Sequence, residues 1–148
     1  MSPLIKILDN TFLAQNLGCV GRCGEDRIVV ITRGPEPVRL KFLDTHARDK
    51  VLNIVLTRWV STVFGKDDLS LEDTLLKIKG DYYMPNQVDR LWPIKETQLG
   101  ISVCGVYPWD YDFKTQKERD QLLEYTVDRW EKLIILGQAL KRIRELEL

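Results

Sequence analysis

An α+β fold is predicted for this chain, a small antiparallel sheet with helices packed on one face and a long C-terminal helix, in one domain. Three features carry that expectation. Residues 115–148 hold no proline and a single glycine, Gly137, and their apolar residues recur at spacings of three and four. Residues 27–32 and 38–43 read as paired strands, and residues 44–64 carry a second helical stripe. The order of strands, then helices, then a strand and a helix favours an α+β arrangement over alternating β and α units.

Residues 1–43 are expected to be mainly β. Pro3 to Leu8 is a short apolar run, and residues 10–17 fit either a helical turn or a loop. Gly18, Gly21 and Gly24 break the following stretch into an irregular strand or turn. Residues 27–32 are β-branched, and Val38, Leu40 and Phe42 alternate with Arg39 and Lys41. The link Arg33-Gly34-Pro35-Glu36-Pro37 suits a hairpin loop.

Residues 44–80 are expected to be helical. Asp44 or Thr45 caps a helix that stops at Gly65 and presents Leu52, Val55, Leu56, Trp59, Val60 and Val63. A short helix then runs from Ser70 to Gly80, with Leu71, Leu75, Leu76 and Ile78 as its apolar set. Residues 81–114 hold Pro85, Pro93 and Pro108 and read as loop, with one strand over residues 101–107. No internal repeat, low-complexity tract or linker stands out. Residues 115–148 open on Thr115-Gln116-Lys117-Glu118, a capping-box pattern. A helix of about 32 residues is about 48 Å long. A compact chain of this length has a radius of gyration of about 15 Å. The helix must overhang its domain, bend around it, or dock on another chain.

The composition bounds function. Lys plus Arg and Asp plus Glu both total 22, so no net field draws the chain to nucleic acid or an anionic membrane. Three cysteines cannot all pair with one another, and the first residues lack the apolar run of a secretory leader, so a cytoplasmic protein is expected. No cofactor-binding motif is present.

The favoured function is non-enzymatic: an interaction or assembly module using the C-terminal helix, with a second copy or another protein as partner. Trp109, Tyr111, Phe113, Trp130, Ile134, Leu140 and Ile143 are its candidate interface. The aromatic run serves equally well to seal the core beneath the helix. The alternative is a metal-dependent phosphodiesterase using Asp110, Asp112 and Lys114, with Asp81 or Glu96 completing the cation site. Aspartates ahead of a helix also serve as turn and dipole residues.

Other candidates have equally ordinary explanations. Cys19, Cys23, His46 and Cys104 offer soft ligands for zinc but lack a second close pair, as buried free thiols would. The Gly18, Gly21, Gly24 spacing departs from both phosphate-loop patterns and suits a bulge. His46 and Asp49 share a helical face, with no nucleophile close in sequence. Arg33, Arg39, Lys41, Arg48 and Lys50 form either a nucleic-acid-binding patch or a solvated sheet face.

Overall fold

The computed structural model describes residues 2–34 and 36–147. Met1, Pro35 and Leu148 lie outside the described residues, and with them the middle of the predicted 33–37 link and the last residue of the predicted helix. The fold is α+β, as predicted, but its strands form three antiparallel sheets.

Strands β1 (Leu4–Ile7) and β2 (Asn10–Leu13) form a hairpin, followed by a 3₁₀ turn at Ala14–Asn16. Strands β3 (Leu17–Cys23), β4 (Arg27–Thr32) and β5 (Val38–Lys41) and helix α1 (Thr45–Phe64) complete the first half. The second half runs β6 (Leu76–Ile78), β7 (Asp81–Tyr83), a 3₁₀ turn at Pro85–Gln87, β8 (Val88–Ile94), β9 (Gln98–Val103), β10 (Val106–Asp112) and α2 (Gln116–Glu147).

The halves are two copies of one unit, a repeat that the local sequence reading does not show. Equivalent residues stand 71 positions apart along the entire unit, without insertion or deletion. The buried Arg48 donates to the carbonyls of Gly24 and Arg27, and Arg119 donates to those of Lys95 and Gln98. The Trp59 indole N–H reaches the Ala14 carbonyl, and that of Trp130 reaches the Pro85 carbonyl. The Phe42 amide donates to Asp26 O, and the Phe113 amide to Thr97 O. Each arginine pins a strand–strand turn to the first turns of the helix, and each tryptophan pins the helix to the 3₁₀ turn.

The copies are interlocked. The β6–β7 hairpin of the second copy adds to the β3 edge of the first, giving a five-stranded sheet in the order β5-β4-β3-β7-β6. Its register pairs Cys19 with Tyr83, Val20 with Tyr82 and Gly21 with Asp81. Strands β8 to β10 form a separate three-stranded sheet, and β1–β2 remains a two-stranded one.

One face of the five-stranded sheet presents Val20, Ile28 and Val30 to α1, Ile5 and Ile7. The other presents Cys19, Ile31, Ile78 and Tyr83 to Leu99, Ile101 and Val103 of the three-stranded sheet and to Leu133 of α2. Covering both faces explains the continuous apolar run Ile28-Val29-Val30-Ile31, all four buried. Arg39 and Lys41 are solvent-exposed on the edge strand β5.

Both helix starts follow the local sequence. The Ala47 amide donates to the Asp44 side chain at 2.8 Å, and the Glu118 amide donates to the Thr115 hydroxyl at 3.1 Å. Gly65, at φ +69°, ends α1.

The middle of the chain departs from expectation. Ser70 initiates only a turn, accepting at its hydroxyl from the Glu72 amide; the predicted 70–80 helix then gives way to β6, where Leu76 pairs with Tyr83. Residues 81–100 hold strands as well as loop. Pro85 sits at the start of the 3₁₀ turn, and Pro93 lies on an outer strand, both positions where a missing N–H is tolerated. The strand predicted over residues 101–107 is instead the end of β9, a turn at Cys104-Gly105 and the start of β10; the predicted loop past Pro108 is most of β10, with Pro108 at a break in its register.

Candidate functional site

Helix α2 is twelve residues longer than α1, 32 against 20, although the two begin at equivalent positions. The cause is local: Gly65 stops α1, whereas its counterpart Leu136 continues the helix. At about 3.6 residues per turn, Ile135, Leu136, Ala139, Ile143 and Leu146 fall within an arc of about 100°. All five are exposed, Leu146 by 86% and Ile135 by 59%. The opposite side of the same turns faces the protein. Gly137 lies over Phe64, and the Arg144 side chain rests on Gly65, where an added Cβ would stand 2.8 Å from its Nε. A cation there complements the carboxyl end of α1.

Between the ends of the two helices and the two 3₁₀ turns lies a cleft of about 540 Å³. Buried Leu17, Met84 and Leu133 form part of its wall. Its charged lining consists of Arg33, Lys141 and Arg144, with no acidic side chain among the described residues. Gln87 is held at the rim, donating to the Gln15 carbonyl at 3.0 Å and accepting from Arg33 at 3.4 Å.

A buried polar chain occupies the interface between the copies. The Trp109 indole donates to the Tyr83 hydroxyl, which is hydrogen-bonded to that of Tyr111; Tyr111 donates to Asp81 Oδ2 at 2.6 Å. Asp81 Oδ1 is buried with no partner. Burial pushes the Asp81 carboxyl above the ordinary carboxylate range, with the Tyr111 hydrogen bond opposing it. Burial also drives both tyrosine hydroxyls far above their usual range, so they act as neutral donors. The equivalent positions in the first copy, Val38, Phe12, Leu40 and Asn10, form no such chain. The clue available in the sequence was the alternation of Trp109 and Tyr111, two aromatics with a polar handle on one strand face.

Of the seven predicted interface residues, Tyr111 is buried, and Trp109, Phe113 and Trp130 pack against the second core. The Lys79 ammonium lies 4.5 Å from the Phe113 ring centre. Ile134 and Leu140 are half-buried, Ile134 lining the cleft, and Ile143 lies on the exposed stripe. Ile135, Leu136 and Leu146, absent from the predicted set, complete that stripe.

Asp110 and Asp112 share the exposed face of β10, and Lys114 is exposed just beyond it. Asp112 accepts from the Gln98 amide at 2.7 Å, and its carbonyl accepts from Lys79. Asp81 belongs to the opposite, inward face with Tyr111. Cys19 is buried, Cys23 and Cys104 are half-buried, and all three are free thiols. His46 is exposed in the first turn of α1. Among the described residues no three cysteine, histidine or acidic side chains gather as a metal site.

Asp49 accepts from both Arg48 and Arg22, hydrogen bonds that hold its carboxyl below the usual range. Gly18 and Gly21 are sites of close approach between the copies. A Cβ on Gly21 would stand 1.9 Å from Asp81 Oδ1, and one on Gly18 would stand 2.4 Å from Cys104 Sγ. Among the described residues no helix is long and apolar enough to cross a membrane. No family model, curated protein or solved structure matches the chain.

Proposed function

We propose that the protein is an assembly module that pairs with a second copy of itself through the outer face of the last turns of α2. The observation that carries this reading is the exposed apolar stripe on the extension that α1 lacks. The stripe is self-complementary. Two such helices crossing antiparallel at Ala139 bring Ile135 of one opposite Ile143 of the other, twice over, which suits a two-fold axis. Burial contributes about 25 cal/mol per Å² of apolar surface before association costs. The Asp128–Lys132 ion pair, 2.9 Å apart, marks the polar limit of the stripe toward the globule. No catalytic step is required, and the free thiols are in keeping with a reducing compartment such as the cytoplasm.

The test is the mass in solution of the intact chain and of Ile143→Asp. Ile143 is 49% exposed, so the substitution spares the fold. A dimer that dissociates at least about tenfold more readily in the variant is the expected result. A wild-type chain that stays monomeric at tens of micromolar, by light scattering, rejects self-pairing.

A further inference from the structure

We propose that the cleft between the helix ends binds a small amphipathic anion, a carboxylate or phosphate head group carried on an apolar body. Three positive side chains, Arg33, Lys141 and Arg144, converge on one concavity in a chain of zero net charge. Among the described residues none of the three has a carboxylate within ion-pairing distance. A concave site lined by one sign of charge concentrates the opposite ion. Gln87, already fixed by Gln15, stands beside Arg33 as a polar partner for the head group.

The apolar half of the ligand follows from the wall. Val63, Phe64 and Ile134 are only half-buried, and all three border the opening. A bare inorganic anion would leave that surface wet. At about 540 Å³ the space matches the range of about 300–1,000 Å³ typical of small-molecule sites.

Gly137 supplies a second, independent observation. A glycine inside a helix weakens it, so its presence calls for a packing reason. Here it borders the cleft, with Phe64 3.6 Å from where its Cβ would stand. A side chain at this position would project into the space the ligand takes. The site uses the inner face of α2 and stands whether or not the outer face pairs with a second copy.

Decanoate, decyl phosphate and decanol, titrated calorimetrically into the full chain, test the proposal. One saturable site per chain is expected for at least one of the two anions, with decanol at least about tenfold weaker. The stronger anion identifies the head group. Arg33→Gln combined with Lys141→Gln and Arg144→Gln should weaken the anion at least about tenfold and leave decanol unchanged. Gly137→Leu should abolish binding of all three while holding or raising the thermal midpoint, which separates a filled cleft from a damaged fold. Arg33→Gln alone, outside both helices, serves as the charge test if the triple variant fails to fold. Decanol binding as tightly as the anions, unchanged affinity in the charge variants, or no saturable binding below about 1 mM overturns the proposal.

Discussion

The two copies share a backbone plan but treat the same strand edge in opposite ways. In the first, β3 accepts the β7 strand of the other copy; in the second, the equivalent β8 edge has no strand partner among the described residues. The pairing of β3 is flanked by two hydrogen bonds, from the Met84 amide to Gly18 O and from the Arg22 amide to Gly80 O. At the Arg22 position β8 carries Pro93, which has no N–H to give. At Gly18 it carries Asp89, and at Gly21 it carries Trp92.

The cross-strand partners change in concert. Gly21 faces Val29 across β3–β4, whereas Trp92 faces Gly100 across β8–β9. Trp92 lies on Gly100, under the Arg90 guanidinium and edge-on to Tyr107. Thus one edge is bare enough to be joined, and the other is covered by its own side chains. A handful of substitutions decides whether an exposed ladder recruits a strand or refuses one.

Three further measurements would break or sharpen this comparison. The largest effect is expected at the paired tryptophans. Trp59 is fully buried and Trp130 only half-buried, so Trp59→Ala should cost about 3–5 kcal/mol and Trp130→Ala roughly half as much. Equal losses in urea unfolding would mean that the copies bear their helices alike.

Next is Gly21→Ala, which drives a methyl group into Asp81 and should cost about 2–3 kcal/mol. A loss below about 0.5 kcal/mol would show that the β3–β7 seam is loose.

The smallest effect is expected at Asp81. Its raised pKa means the folded state holds the proton more tightly than the unfolded chain does. The stability it contributes is complete below the ordinary carboxylate pKa and is lost as pH rises through the raised one. Asp81→Asn, the change that copies the first unit's Asn10, should therefore add about 1 kcal/mol at neutral pH and flatten the acid side of the stability profile. A variant with the parent's slope between pH about 4 and about 7 would remove Asp81 as the cause.

The repeat was present in the letters. Phe42, Arg48-Asp49, Leu52 and Arg58-Trp59 recur at the same spacing as Phe113, Arg119-Asp120, Leu123 and Arg129-Trp130. Each of these residues has an ordinary local reading as helix stripe or surface charge. Only the hydrogen bonds that Arg48 and Trp59 make across the unit reveal them as one recurring device. The exposed stripe was half legible for a similar reason. Helical spacing showed apolar residues recurring along residues 115–148, but which of them meet the globule depends on where α1 ends.

Chain letters alone settled what a few neighbouring residues can settle. Asp44 or Thr45 starts the first helix and Thr115 the second, Gly65 ends the first, and the absence of proline carries the second through to its tail, because caps and propensities act within about one helical turn. Residues 76–83 were decided elsewhere. Their hairpin is held because β3, far away in sequence, offers β7 a matching ladder of N–H and C=O groups, and a backbone bond made with a distant partner leaves little trace in local periodicity.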